Sequence, residues 1–250
     1  MPETVNQAGP AYGIRERIGF WLRNDAARLL FPSLCLACGE AGVDGLDLCT
    51  DCLAALPWQP PSCIRCALPL PVPAGDDTCA ACMLDPPPLA AIRAACRYDA
   101  PLDLLLPRFK FHGDLAAGRL LSQLMARAFN GVPRPDALVP VPLHRARLRR
   151  RGYDQALELA RPLAGALDIA VRPDLLVRQL HTQPQSTLDA ATRRENLVDA
   201  FVVPGTEPLP AHIALVDDVM TTGATLHAAA EALLDAGAAR VDAWVCGRAL

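Results

Sequence analysis

Hydrophobic spacing divides the chain into an irregular, cysteine-rich first third and a remainder in which two periods alternate. Short apolar runs of strand length occupy 91–98, 137–141, 175–180, 213–217 and 241–246. Between them, 115–129, 154–167 and 225–236 carry apolar residues at helical spacing, and 190–200 has a weaker helical pattern. Strands alternating with helices predict an α/β fold, a mostly parallel sheet flanked by helices on both faces. Ligands in such sheets bind outside the carboxyl ends of strands. Two run ends carry chemistry there: Val139-Pro140-Val141-Pro142 and Asp217-Asp218.

Residues 1–12 read as a disordered tail. Ile14, Ile18, Trp21, Leu22, Leu29 and Leu30 predict a short helix with interleaved basic residues, suited to docking on the next module or on a partner. Pro86, Pro87 and Pro88 mark a break. The expected organisation is a tail and helix over 1–30, a cysteine module over 31–86 and the α/β domain over 87–250.

Composition narrows the class. With 250 residues, 52% hydrophobic and 20% charged, the chain suits one sizeable globular domain plus a module. A net charge of −3 gives no global attraction to nucleic acid, so any such role rests on local patches. Lys110 is the sole lysine among many arginines. No apolar stretch reaches the roughly 20 residues of a membrane span, and no export signal opens the chain. A cytoplasmic location is expected.

Eight of the ten cysteines form four C-x-x-C pairs: Cys35/Cys38, Cys49/Cys52, Cys63/Cys66 and Cys79/Cys82. Each such turn aims two thiolates at one ion, and two turns complete a tetrahedron. Gly39 lets the first turn bend back. A disulfide framework needs an oxidising compartment, a redox pair does not come four in series, and paired spacing favours zinc over an iron–sulfur cluster. Two structural Zn²⁺ are therefore expected, paired either sequentially or cross-braced. Closed Cys₄ sites leave no catalytic position; they fold a proline-rich segment that has little core of its own. Cys96 and Cys246 read as buried packing residues.

The run ending in Asp217 and Asp218 continues into Thr221, Thr222, Gly223, Ala224 and Thr225 at the start of a helix. Loop N–H groups and a helix dipole suit a phosphate, and the acids suit ribose hydroxyls or a Mg²⁺ shared with the ligand. The second informative segment runs from Val139 to Gln155, where five arginines occupy the seven positions 145–151, ahead of Gly152. At the ligand edge of a sheet this run suits anion binding; on a plain surface it is a solvated basic turn.

The 213–225 run resembles the phosphoribosyl pyrophosphate (PRPP) signature of type I phosphoribosyltransferases: four hydrophobics, two acids and a Thr-Thr-Gly-x-Thr loop. The resemblance implies that Asp217 and Asp218 contact the ribose hydroxyls. It implies that Thr221, Thr222, Gly223, Ala224 and Thr225 wrap the 5′-phosphate, and that Pro142, Leu143, Arg147, Arg150 and Arg151 hold pyrophosphate. In that family the pyrophosphate loop often contains a strained or cis peptide. The Val-Pro-Val-Pro start, Arg-Arg-Gly-Tyr-Asp-Gln, Gln183, Arg194-Glu195-Asn196 and Ala200-Phe201 look like the ComF/GntX family, over residues about 31–250. Its members join a double zinc ribbon to a phosphoribosyltransferase-like domain. Asp154 departs from the more usual Asn, and 182–186 lies where members vary.

The 181–196 segment falls where this fold carries a flap, holding Gln183, Gln185, Ser186, Arg193 and Arg194; the bland alternative is a surface loop. With Asp217 and Asp218, Arg194 is the expected catalytic group. Lys110 matches a basic family motif, facing phosphate or solvent. The implied ligands are Mg²⁺ with PRPP or pyrophosphate. The family also implies a part in natural transformation, with single-stranded DNA or competence-machinery proteins as partners of the ribbons. Trp58 and Arg65 alone make the ribbons a poor DNA groove, and the arginine run is the better candidate. The alternative function is an active phosphoribosyltransferase with an unknown acceptor. Any hood over that acceptor comes from the zinc module or from 90–114.

Overall fold

The computed structural model describes residues 33–70, 77–179 and 200–249. The expected helix within 14–31 and the proposed flap lie outside the described residues, as does the 190–200 helix apart from Ala200.

Five parallel strands form the main sheet: β1 (Ala91–Arg97), β2 (Ala137–Pro140), β3 (Ala170–Val171), then, after two short strands elsewhere, β6 (His212–Met220) and β7 (Arg240–Arg248). Their order is β1-β7-β6-β2-β3. The short β4 (Val177–Arg178) and β5 (Phe201–Val202) pair antiparallel outside it. The apolar run expected as a strand over 175–180 yields only two strand residues. Leu175 and Leu176 are consecutive and both buried, which a strand with one covered face does not provide.

Alternation along β6 sends Ala214 and Val216 into one core with Leu138, Trp244 and Cys246. Ile213 and Leu215 enter a second core on the opposite face. In the chain's order, α1 (Thr50–Ala54) and α2 (Ala80–Leu84) belong to the cysteine module. Helices α3 (Leu102–His112) and α4 (Leu115–Phe129) cover the first face of the sheet together with α6 (Gln155–Leu167), while α5 (Arg145–Arg151) lies between β2 and α6. Helix α7 (Ala224–Asp235) covers the second face. Cys96 and Cys246 are fully buried, as their apolar runs imply.

Two helices of the α/β domain went unread in the sequence. Pro107 sits inside α3 and breaks its apparent periodicity. The arginine segment expected as a loop is the helix α5, ended by Gly152 at φ 82°. The cis peptide among the described residues is Ala100–Pro101, outside the 142–151 segment where the resemblance implies a strained or cis peptide. Strand β6 also runs beyond its two acids, because Val219 and Met220 stay paired with Gly247 and Arg248.

The cysteine module covers the edge of the sheet. Trp58 bridges Cys96 antiparallel, Gln59 N–H donates to Ala95 O (3.0 Å), and Arg97 N–H donates to Pro57 O (2.8 Å). Ile92 N–H donates to Ile64 O at 2.7 Å. Backbone groups of β1 that would template aggregation are thereby satisfied.

Candidate functional site

The four cysteine pairs close sequentially: Cys35, Cys38, Cys49 and Cys52 in one cluster, Cys63, Cys66, Cys79 and Cys82 in the other. Within each, the sulfurs lie within 4.8 Å of one another. Cys38 and Cys49 Sγ are 3.6 Å apart, and Cys66 and Cys79 Sγ 3.8 Å. A tetrahedral ion with Zn–S of about 2.3 Å needs edges of about 3.8 Å, so both clusters fit structural zinc. Burial opposes ionisation of Cys35, yet N–H groups of Cys49, Cys38 and Ala37 pull its thiol down to about 6. Cys63, against the same penalty, falls to about 7 under the N–H groups of Cys79, Arg65 and Cys66. Each cluster thus holds one thiol prepared for a cation.

At the carboxyl ends of β2 and β6, a cavity of about 530 Å³ opens between α3, α5, α6 and the start of α7. Its wall includes Asp217, Asp218, Thr221, Thr222, Gly223, Ala224 and Thr225, with Pro142, Leu143, Arg147 and Arg151 opposite. The side chain of Arg150 and the whole of Arg194 lie outside what is described.

Strand parity separates the two acids. Asp218 follows Ala214 and Val216 onto the α3 face, where Lys110 Nζ reaches its Oδ1 at 3.0 Å. Its Oδ1 also accepts from Val219 N–H (2.6 Å). Asp217 takes the other face and accepts from Asp218 N–H at 2.8 Å. Burial first, then the negative charge of Asp218, pushes Asp217 well above the carboxylate range, to about 7, against that N–H and the charge of Lys110. Each carboxylate spends one oxygen on a backbone N–H. This donor set fits a Mg²⁺ that brings most of its oxygens with a phosphate ligand.

The 221–225 loop joins the end of β6 to α7. Gly223 is the N-cap of α7 at φ 82°, and a Cβ there would stand 2.5 Å from Met220 Cε. Only glycine meets both conditions without strain. Gly223 brings no capping side chain to α7, Thr222 Oγ1 accepts from Ala224 N–H only at a long 3.5 Å, and the helix dipole favours negative charge at this end.

The opposite wall is cationic. Asp154 Oδ1 caps α6 by accepting from Leu157 N–H, while its Oδ2 accepts from Leu143 N–H, both at 3.1 Å. This pins the turn that presents Pro142 and Leu143. Burial raises the Asp154 carboxyl, those N–H groups oppose it, and Asp218 adds to the rise. Tyr153 OH donates to Phe109 O, and the two rings lie 5.8 Å apart, tying the α5–α6 junction to the helix that carries Lys110.

A double zinc ribbon domain matches residues 26–83. The DNA utilization protein YhgH of Salmonella typhi is 37% identical over 232 residues, 89% of this chain and 100% of that protein. Competence protein F of Haemophilus influenzae is 34% identical over 228 residues, covering 88% and 98%. The chain belongs to the ComF family. Competence protein ComFC of Bacillus subtilis is 34% identical over 152 residues, 59% of each chain.

Three cavity residues of this ComF family chain escaped sequence reasoning. Arg178 is buried and stacks over Phe201 at 5.2 Å. Desolvation, then Arg147, lowers it to about 10, with Asp217 opposing. An arginine inside the apolar 175–180 run was the available signal. Gln155 is 2% exposed, and its Nε2 has no hydrogen-bond partner among the described residues, leaving a donor for a ligand. Phe111 stands 71% exposed beside the cavity with Arg151 over its ring at 5.6 Å. Among the described residues, no helix of this ComF chain is long and apolar enough to cross a membrane.

Proposed function

We propose that this chain binds PRPP in the 530 Å³ cavity and acts in DNA utilization, as its relatives are named. The observation that carries the reading is the convergence of three unlike features on one space. A helix start with glycine at its N-cap and a Thr/Gly loop suits the 5′-phosphate. An acid pair suits the ribose hydroxyls. Arg147, Arg151, Arg178 and Lys110 suit the pyrophosphate. Asp217 and Asp218 would hold a Mg²⁺ bound with the ligand, which would screen its phosphates, while the cationic side chains position and neutralise those phosphates.

Calorimetry with PRPP and Mg²⁺, on the zinc-loaded parent and on Asp217→Asn/Asp218→Asn, tests this. The parent is expected to bind and the double variant to lose at least about tenfold, or 1.4 kcal/mol. Equal affinity in the double variant would remove the ribose assignment, and no binding by the parent would refute the ligand.

A second reading, phosphoribosyl transfer, is favoured by one observation. A neighbouring cavity of about 630 Å³ shares Met220, Thr222 and Ala224 with the first and is walled by 85–88, a size that admits an acceptor. In transfer, the C1′–oxygen bond breaks, its electron pair leaves with pyrophosphate, the acceptor's lone pair bonds C1′, and the acceptor's proton passes to water. Pyrophosphate release across a panel of nucleobases separates turnover from binding alone.

A further inference from the structure

Arg248 ends β7 beneath the 221–225 loop and is 6% exposed. Its Nε donates to Cys66 O at 2.8 Å. Its Nη1 donates to Thr221 O (2.6 Å), Met220 O (3.2 Å) and Ala249 O. Ala249 N–H in turn donates to Met220 O at 2.9 Å. No carboxylate pairs with Arg248 among the described residues. A buried guanidinium is costly unless it is fully hydrogen-bonded. Here backbone carbonyls take the place of water, and the charge of the Cys66 thiolate opposes the cost of burial.

Two consequences follow from this geometry. Carbonyls of Met220 and Thr221 that face Arg248 are held off the phosphate position, leaving the loop's N–H groups to the ligand. Cys66 is a member of the second cysteine cluster, 182 residues away in sequence, so one side chain spans from that cluster's turn to the loop. The first cluster is not part of this connection; its residues pack in the core on the α3 side.

We propose that Arg248 is a positioning residue for the 221–225 loop and that, through Cys66, it couples sugar-phosphate binding to metal occupancy of the second cysteine cluster and not of the first. This rests on the reading of the loop as a 5′-phosphate site. Coupling between sites is reciprocal, so phosphate in the loop must also tighten metal in that cluster.

The first test is calorimetry of the zinc-loaded parent, Arg248→Lys and Arg248→Met with ribose 5-phosphate and, separately, inorganic pyrophosphate. Both variants are expected to weaken ribose 5-phosphate about tenfold, since lysine lacks the fork that spans four carbonyls, and to leave pyrophosphate within about twofold. Equal losses for both ligands would mark general damage and overturn the positioning role, as would no loss for either.

The second test needs no variant. Chelator competition on the parent, with and without saturating ribose 5-phosphate, is read by zinc release and by alkylation mapping of the freed cysteines. The ligand is expected to make zinc at Cys63, Cys66, Cys79 and Cys82 several-fold harder to remove and to leave the other cluster unchanged. Equal release with and without ligand, or equal protection of both clusters, would overturn the coupling. Failure of the parent to bind any sugar phosphate would instead refute the loop reading, and this inference with it.

Discussion

Replacing Asp217 with Asn is expected to stabilise the protein while weakening the sugar-phosphate binding proposed for it. In the folded chain, burial and the neighbouring Asp218 hold the Asp217 carboxyl at about 7, against 3.8 for an unperturbed group. A carboxyl raised on folding favours the native state while it is protonated. That contribution is complete below about pH 4 and is lost as pH rises through 7. About three pH units at roughly 1.4 kcal/mol each set a ceiling of about 4 kcal/mol by pH 8. Partial exposure of the site and the nearby Lys110 reduce this to about 2–3 kcal/mol. Asn keeps the oxygen that accepts from Asp218 N–H, so no hydrogen bond is lost. Denaturant unfolding of the zinc-loaded parent and variant at pH 5, 6.5 and 8 measures the effect. The variant's advantage is expected to widen by about 2 kcal/mol between pH 5 and 8. A pH-independent difference, or a variant less stable than the parent at pH 8, would refute the reasoning. The trade of stability against binding is typical of groups held in an unfavourable environment for use.

Lys110→Met strands Asp218 beside Asp217 and is expected to cost about 2 kcal/mol at pH 8, less than a fully buried pair because Lys110 keeps 23% exposure. Adding Asp218→Asn should restore most of it in a thermal-unfolding cycle, and a double variant no better than the single would refute the pairing. Gly223→Ala forces a Cβ to 2.5 Å from Met220 Cε at φ 82° and is expected to weaken ribose 5-phosphate at least about tenfold by calorimetry. Arg147→Gln/Arg151→Gln is expected to weaken inorganic pyrophosphate and flatten the salt dependence of its affinity. Chelating zinc should raise hydrogen exchange at the amides of Ile92 and Arg97, which donate to Ile64 O and Pro57 O, before that at Val139 in the sheet interior.

The parts of the fold that sequence made legible are those where one local rule dominates. Helix α4 was read to its observed bounds because nothing interrupts its spacing and Asp114 caps it. The C-x-x-C turns are equally local, but spacing left their pairing open, since sequential and cross-braced arrangements satisfy it alike. The contacts that decide it are spatial. Helix α3 was hidden by Pro107, although tertiary packing of Leu102, Leu105, Leu106 and Phe109 sustains it. With α3 unread, Lys110 had no position, and its pairing with Asp218 was beyond reach. Arg178 and Arg248 were lost for a related reason. Each is a charge in an apolar strand-like run, and only the assembled structure shows what it faces.

The acid pair shows how a local rule becomes a chemical asymmetry. Two neighbouring carboxylates on a strand cannot face the same way, because successive side chains alternate. Asp218 therefore inherits the α3 face and a lysine at 3.0 Å. Asp217 inherits the face of α7, where the charge of Arg178 acts on it and burial keeps it near neutrality's edge. One acid is already ion-paired before a ligand arrives, and the other binds or releases a proton close to pH 7. Exchanging their environments would take only a one-residue shift in β6. The pairing of Asp217 with Val245 and Met220 with Arg248 resists that shift, so the register of the sheet sets which acid is available to the ligand.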